Sequence, residues 1–197
     1  MHLLKRDPRD EEHGMSEGNG KHLIRGVVAG VGAGLAASWL MDVFMMGPGQ
    51  KLKEAVQTEE EKQQERLQQR RQAESGEPKE DATMKAADKI VAAATGGQHL
   101  SMEEKQKGGP VVHYAFGALM GGLYGGLAEY SGAVRTGFGL GFGAALFAGA
   151  DLMAVPALKL SPPLSESSPS SLANPFAAHL VYGTTTEALR RVFRAVL

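Results

Sequence analysis

Apolar positions gather in three blocks along the chain, residues 23–47, 110–160 and 175–197, while 1–22 and 49–109 are highly polar. The first block holds IRGVVAGVGAGLAASWLMDVFMMG, long enough to cross a hydrocarbon core, which takes about 20 helical residues. It lacks the short apolar core and small-residue cleavage site of a signal peptide, so 23–48 reads as an uncleaved anchor. The second block divides into PVVHYAFGALMGGLYGGLAE and VRTGFGLGFGAALFAGADLMAVPAL, predicting spans over 110–130 and 133–158. So short a connection forces an antiparallel hairpin. In the third block the threonine triplet 184–186, Glu187, Arg190 and Arg191 shorten the apolar run. It predicts a fourth span over 175–197, with an interfacial helix as the alternative.

The polar stretches carry their own patterns. QKLKEAVQTEEEKQQERLQQRRQ has strong helix formers but too few apolar residues to bury a stripe, so a solvated or partly disordered helix is expected. DATMKAADKIVAAAT sets Met84, Ala87, Val91 and Ala94 at helical spacing, as in an amphipathic helix lying on a bilayer or on the bundle. Ser101 and Glu104 stand at capping-box spacing and start another short helix. Residues 159–174 form a Pro/Ser-rich loop, and 1–22 a polar tail.

Composition changes this picture only by warning against averages. With 197 residues, 43% of them apolar, and a formal net charge of -1, the totals would suit one soluble domain. Yet eleven glycines fall between Pro110 and Ala150. Each costs a water-exposed helix roughly 0.5–1 kcal/mol relative to alanine. In a bilayer the backbone must satisfy itself internally, and small residues let helices approach closely. The expected fold is therefore an all-α, multi-pass membrane bundle of four Gly-rich helices. There is no cysteine, so disulfide and thiol chemistry are excluded. No basic stripe with interleaved aromatics suggests nucleic acid.

Lysine and arginine in the short flanks set the expected orientation. Lys5, Arg6, Arg9, Lys21 and Arg25 precede the first span, Arg135 lies between the second and third, and Arg190, Arg191 and Arg194 end the chain. Both termini are then cytoplasmic, with 49–109 and 159–174 on the other side.

Two features recur. Pro110 is followed by His113, Phe116 and Gly117, and Pro175 by His179, Tyr182 and Gly183; Asp42 precedes Pro48 much as Asp151 precedes Pro156. This reads as a parallel repeat of two spans plus two, with chance recurrence as the rival. Small residues also fall in register: Gly26, Gly30 and Gly34, then Gly117, Gly121 and Gly125, then Gly137 and Gly141. A four-residue period winds slowly around a helix and offers a groove to a neighbour, so these glycines are the expected packing positions.

Carboxylates within spans are normally paired, interfacial or functional. The topology puts Asp42, Asp151, His113 and His179 toward the outer side and Glu129, Glu187, Arg190 and Arg191 toward the inner side. An outer Asp–His cluster would sense or relay protons; the alternative is that these residues fix helix register. No tight ligand spacing suggests a metal, and no nucleophile elbow, phosphate loop or cofactor fingerprint stands out, so no cofactor is expected.

The order GLGFGAALFAGADLMAVPALKLSPP, then HLVYGTTTEALRRVFR, resembles the YagU family of bacterial inner-membrane proteins over roughly residues 110–194. Ser161-Pro162-Pro163, His179-Leu180-Val181 and Glu187 with Arg190-Arg191 carry the likeness; Asp151 and the charged 49–109 segment depart from it. The resemblance implies an inner-membrane location and a role in envelope or acid physiology. The expected function is a structural or acid-stress-related membrane protein, not an enzyme. A proton-responsive channel or transporter using the Asp/His cluster is the alternative, and a scaffold recruiting a partner through 49–109 a weaker one. The expected partners are the lipid bilayer and further copies in a homo-oligomer, with no nucleic acid; any transported ion or small molecule is unspecified by the sequence.

Overall fold

A computed structural model describes residues 8–197, and among the described residues every regular element is helical. Helix α1 (Pro8–Met46) continues the first span back into the expected polar tail, of which residues 1–7 lie outside the described residues. Pro48 opens α2 (Pro48–Val56), where the missing N–H costs nothing. The expected solvated helix breaks before Thr58, which caps α3 (Glu59–Ser75) in a reciprocal capping box with Glu61. Gly76, at φ 65, closes α3 in the left-handed conformation. With no apolar stripe, α3 buries no residue.

Helix α4 (Ala82–Thr95) starts at Asp81, whose side chain accepts the Met84 N–H, and buries Met84 and Ala87. It packs on α5 (Met102–Tyr130) over Gly108 and Gly109, where a Cβ would meet Ala87, Met84 and Thr83. The short helix and the second span expected from the sequence are thus one rod. It starts at the Ser101–Glu104 capping box and contains Pro110. Proline removes one backbone bond, but α4 braces the helix immediately before it.

The third span begins later than expected. A 3₁₀ turn (Gly132–Arg135) is followed by Gly137, Phe138 and Gly139 at φ of 70, 54 and 84, so no helix can start before Leu140. Helix α6 (Leu140–Ala157) widens to a π-helix over Phe147–Ala154, the segment holding Asp151. The expected loop is shortened because Ser168 caps α7 (Pro169–Val196), which runs through Pro175.

Helix α1 packs against both α5 and α7, and α6 packs against α7. Ala37, Met41, Ala178 and Tyr182 form the centre of the core. His22–Met46, Met102–Tyr130 and Leu140–Ala157 are long and apolar enough to cross a membrane, which suggests a membrane protein. Among the described residues α7 does not join these three: it carries Asn174, His179, Thr186, Glu187 and Arg190, and buries them against the other helices.

One expectation about packing is corrected. Gly137 lies in the left-handed turn before α6, outside any helix, and its lack of a side chain serves that turn. Gly141 faces open space, with nothing within 4 Å of where a Cβ would stand. The glycines that approach α7 are Gly139 and Gly143, on the opposite side of α6.

Candidate functional site

The close approach of α1 and α5 comes from glycine meeting glycine in antiparallel register. Gly26 lies against Gly125, Gly30 against Gly121 and Gly34 against Gly117, and a Cβ at any of these positions would strike the facing backbone or the Ser38 side chain. Asp42 on α1 and His113 on α5 lie just past the end of this seam. His113 Nε2 is 3.2 Å from Asp42 Oδ1, but without hydrogen-bond alignment, and that buried nitrogen has no other partner among the described residues. The Tyr114 hydroxyl donates to Asp42 Oδ2 at 3.0 Å.

A second seam joins α6 to α7. Gly139 and Gly183 approach each other's backbone, and Gly143 approaches the His179 carbonyl. Asp151 Oδ2 then stands 3.7 Å from His179 Nδ1. That nitrogen is 2.9 Å from the Pro175 carbonyl, an acceptor only, so the ring carries its proton on Nδ1. The Phe147 ring packs beside the same imidazole. Met41 and Ala178, the chain neighbours of Asp42 and His179, pack together in the core. The two Asp–His pairs therefore share one polar layer.

The other end of the bundle holds a charged network with its partners in place. Glu187 is fully buried; it accepts from Arg190 Nε at 2.8 Å, Arg191 Nε at 2.6 Å and the Tyr124 hydroxyl at 3.0 Å. Glu129 accepts from Arg194 Nε at 2.9 Å, with Arg190 Nη1 at 3.9 Å. Arg191 also stacks over the Phe138 ring. Such an arrangement is costly to break, because removing one partner strands a buried charge.

The structure thus sets Asp42 beside His113 and Asp151 beside His179 in one layer, and Glu129, Glu187, Arg190 and Arg191 in another. Sequence reasoning missed the tyrosines that complete both layers. Tyr114 is adjacent to His113 and its role follows from that position, whereas nothing local signals that Tyr124 reaches Glu187 or that Tyr182 donates to the Gly117 carbonyl at 2.6 Å. Chemically, the Asp–His layer brings two carboxylates beside two imidazoles. Among the described residues, no group of three or more His, Asp or Glu side chains could hold a metal ion.

A family model described as "Protein of unknown function (DUF1440)" matches residues 83–188, more than half of the chain. The match takes in α4, α5, α6 and most of α7, including His113, Asp151, His179 and Glu187, but not Asp42 on α1. No curated protein and no solved structure matches.

Proposed function

The chain belongs to the DUF1440 family, and on that footing we propose that it is a structural integral protein of the bacterial inner membrane, serving the envelope under acid stress. The observation that carries this reading is the buried Glu187–Arg190–Tyr124 network, joined from the surface by Arg191, whose polar groups satisfy one another across α5 and α7. A charge held this way fixes helix positions and has no free partner to offer a passing ion. The likeness of the Ser-Pro-Pro and His-Leu-Val elements to the YagU family supports the location and the link to acid stress. The reading includes four spans with both termini cytoplasmic, α1–α5 and α6–α7 as two copies of one unit, and self-association within the bilayer. It assigns no enzymatic activity.

A second reading rests on the Asp–His layer. Side chains of Asp42 and Asp151 are only partly covered, at 35% and 33% exposure, so they can exchange protons with the surroundings. On that reading the protein is a proton-responsive channel or transporter. Purified protein in vesicles loaded with a pH-sensitive dye separates the two. The structural reading expects no proton or ion flux at any pH imposed across the vesicle wall. Acid-driven flux that Asp151→Asn abolishes would replace it with the second reading.

A further inference from the structure

The exposed apolar positions of α5 show where the bilayer boundary falls on it. Val111, Leu119, Leu123 and Leu127 lie at multiples of four along one outward stripe. At about 1.5 Å per residue, the roughly 20-residue step from Lys107 to Leu127 covers about 30 Å, the thickness of a hydrocarbon core. Tyr130, 66% exposed, then stands at one polar boundary, where interfacial aromatics collect. Lys107 stands at the other.

At that second boundary α4, α5 and the segment joining them border an open groove of about 370 Å³ with almost wholly apolar walls, formed chiefly by Ala87, Ile90, Val91, Leu100, Gly108 and Val111. The groove is the upper continuation of the outward stripe, since Val111 belongs to both and is 68% exposed. Ile90 on its α4 wall is 58% exposed. The far side of α4 reaches α6, where Lys89 Nζ donates to the Leu158 carbonyl. Helix α4 thus bridges the ends of two membrane-compatible helices and lies across the bundle rather than away from it.

We propose that this groove takes an acyl chain of a bilayer phospholipid, so that α4 is a membrane-surface helix seated at the headgroup level. Lys107 stands at the rim of the groove, paired among the described residues only with Glu103 one turn earlier. An exposed pair of this kind is readily exchanged, which frees the ammonium for a lipid phosphate. The seat of α4 rests on α5 crossing the bilayer, which both readings of the Asp–His layer share.

The test uses the full chain in vesicles. Trp39 is the single tryptophan, so a Trp39→Phe, Ile90→Trp protein reports from the groove alone. In vesicles of phosphatidylcholine and phosphatidylglycerol with acyl-brominated chains, its emission should be largely lost, while aqueous iodide should change it little. A Gln68→Trp reporter on α3 should behave in the opposite way. Should Ile90→Trp fail to fold, Val91→Trp reads the same wall. Quenching by iodide in place of brominated lipid would show that the groove faces water and overturn the proposal. Quenching by neither would show that a second copy covers it, which overturns the proposal equally.

Discussion

Two helix pairs in this bundle draw on the same residue types, yet only one closes along its length. Between α1 and α5, three successive glycines on each helix face one another, and the backbones touch from Gly26 to Gly34. Between α6 and α7, close glycine approach to the facing backbone is limited to Gly139, Gly143 and Gly183, with the Phe142 and Phe147 rings filling the rest, while Gly141 and Gly149 face open space. The polar pairs differ in parallel. Asp42 is held by Tyr114 as well as lying beside His113, whereas His179 gives its Nδ1 proton to the Pro175 carbonyl and leaves Asp151 at 3.7 Å. A glycine therefore draws helices together only where another chain segment stands opposite it; abundance alone predicts nothing about which seam is tight.

The largest effect is expected at the tie between the two pairs. Tyr124 belongs to α5 and Glu187 to α7, so their hydrogen bond links one pair to the other. Glu187→Ala strands the buried Arg190 guanidinium and should cost about 3–5 kcal/mol, read as a lowered unfolding midpoint in detergent. Arg191→Ala should cost far less, because Arg191 is 53% exposed and solvent can replace its partner. Equal losses would mean that the network acts through the surface arginine and not through the tie.

A smaller, more direct contrast lies in the glycines themselves. Gly121→Ala sets a Cβ against the Gly30 carbonyl and the Gly34 backbone, and overpacking of this kind costs about 1–3 kcal/mol. Gly141→Ala meets nothing and should be neutral, or stabilising by up to about 0.5–1 kcal/mol from helix propensity. Thermal unfolding of both variants in the same micelles decides it. Comparable destabilisation at the two positions would erase the distinction between the pairs.

These differences mark how much could be read from the chain itself. Apolar runs and a four-residue glycine period are local properties, so three membrane-compatible helices, the α1 and α5 glycine positions and the grouping of acids with histidines or arginines are legible before any coordinates. The failure at Gly137 and Gly141 has a physical cause. Their spacing matches the other series, but Gly137, Phe138 and Gly139 adopt positive φ and delay the helix, and the face that meets α7 is set by where α7 lies. The π-helix around Asp151 and the reach of Tyr124 to Glu187 depend likewise on tertiary placement. Pro110 and Pro175 read as helix starts because proline disfavours helix interiors; capping serines at 101 and 168 begin both helices earlier.

Outside the span the two pairs differ again, since α4 is packed on α5 but reaches α6 through Lys89. Asp88 fastens the α5 side: its carboxylate lies 3.0 Å from His99 Nδ1, accepts the Leu100 N–H at 2.7 Å and stands 3.5 Å from Lys105 Nζ. The His99 and Leu100 hydrogen bonds, with Lys105 nearby, hold this carboxyl below its usual range. A lowered folded pKa means that the contribution is complete above the unfolded carboxylate value and is lost as pH falls through the folded one. Amide exchange at Leu100, corrected for its intrinsic pH dependence, should thus stay protected from pH 7 down to about 4 and open below that. Amides within α6 should remain unchanged throughout. Asp88→Asn should open the same amide at neutral pH, with only a modest effect on global stability because the site is at the surface. Loss of protection already between about pH 7 and 5, far above any carboxylate held low, would remove Asp88 from this role and leave the packing of Met84 and Ala87 as what holds α4 to the first pair.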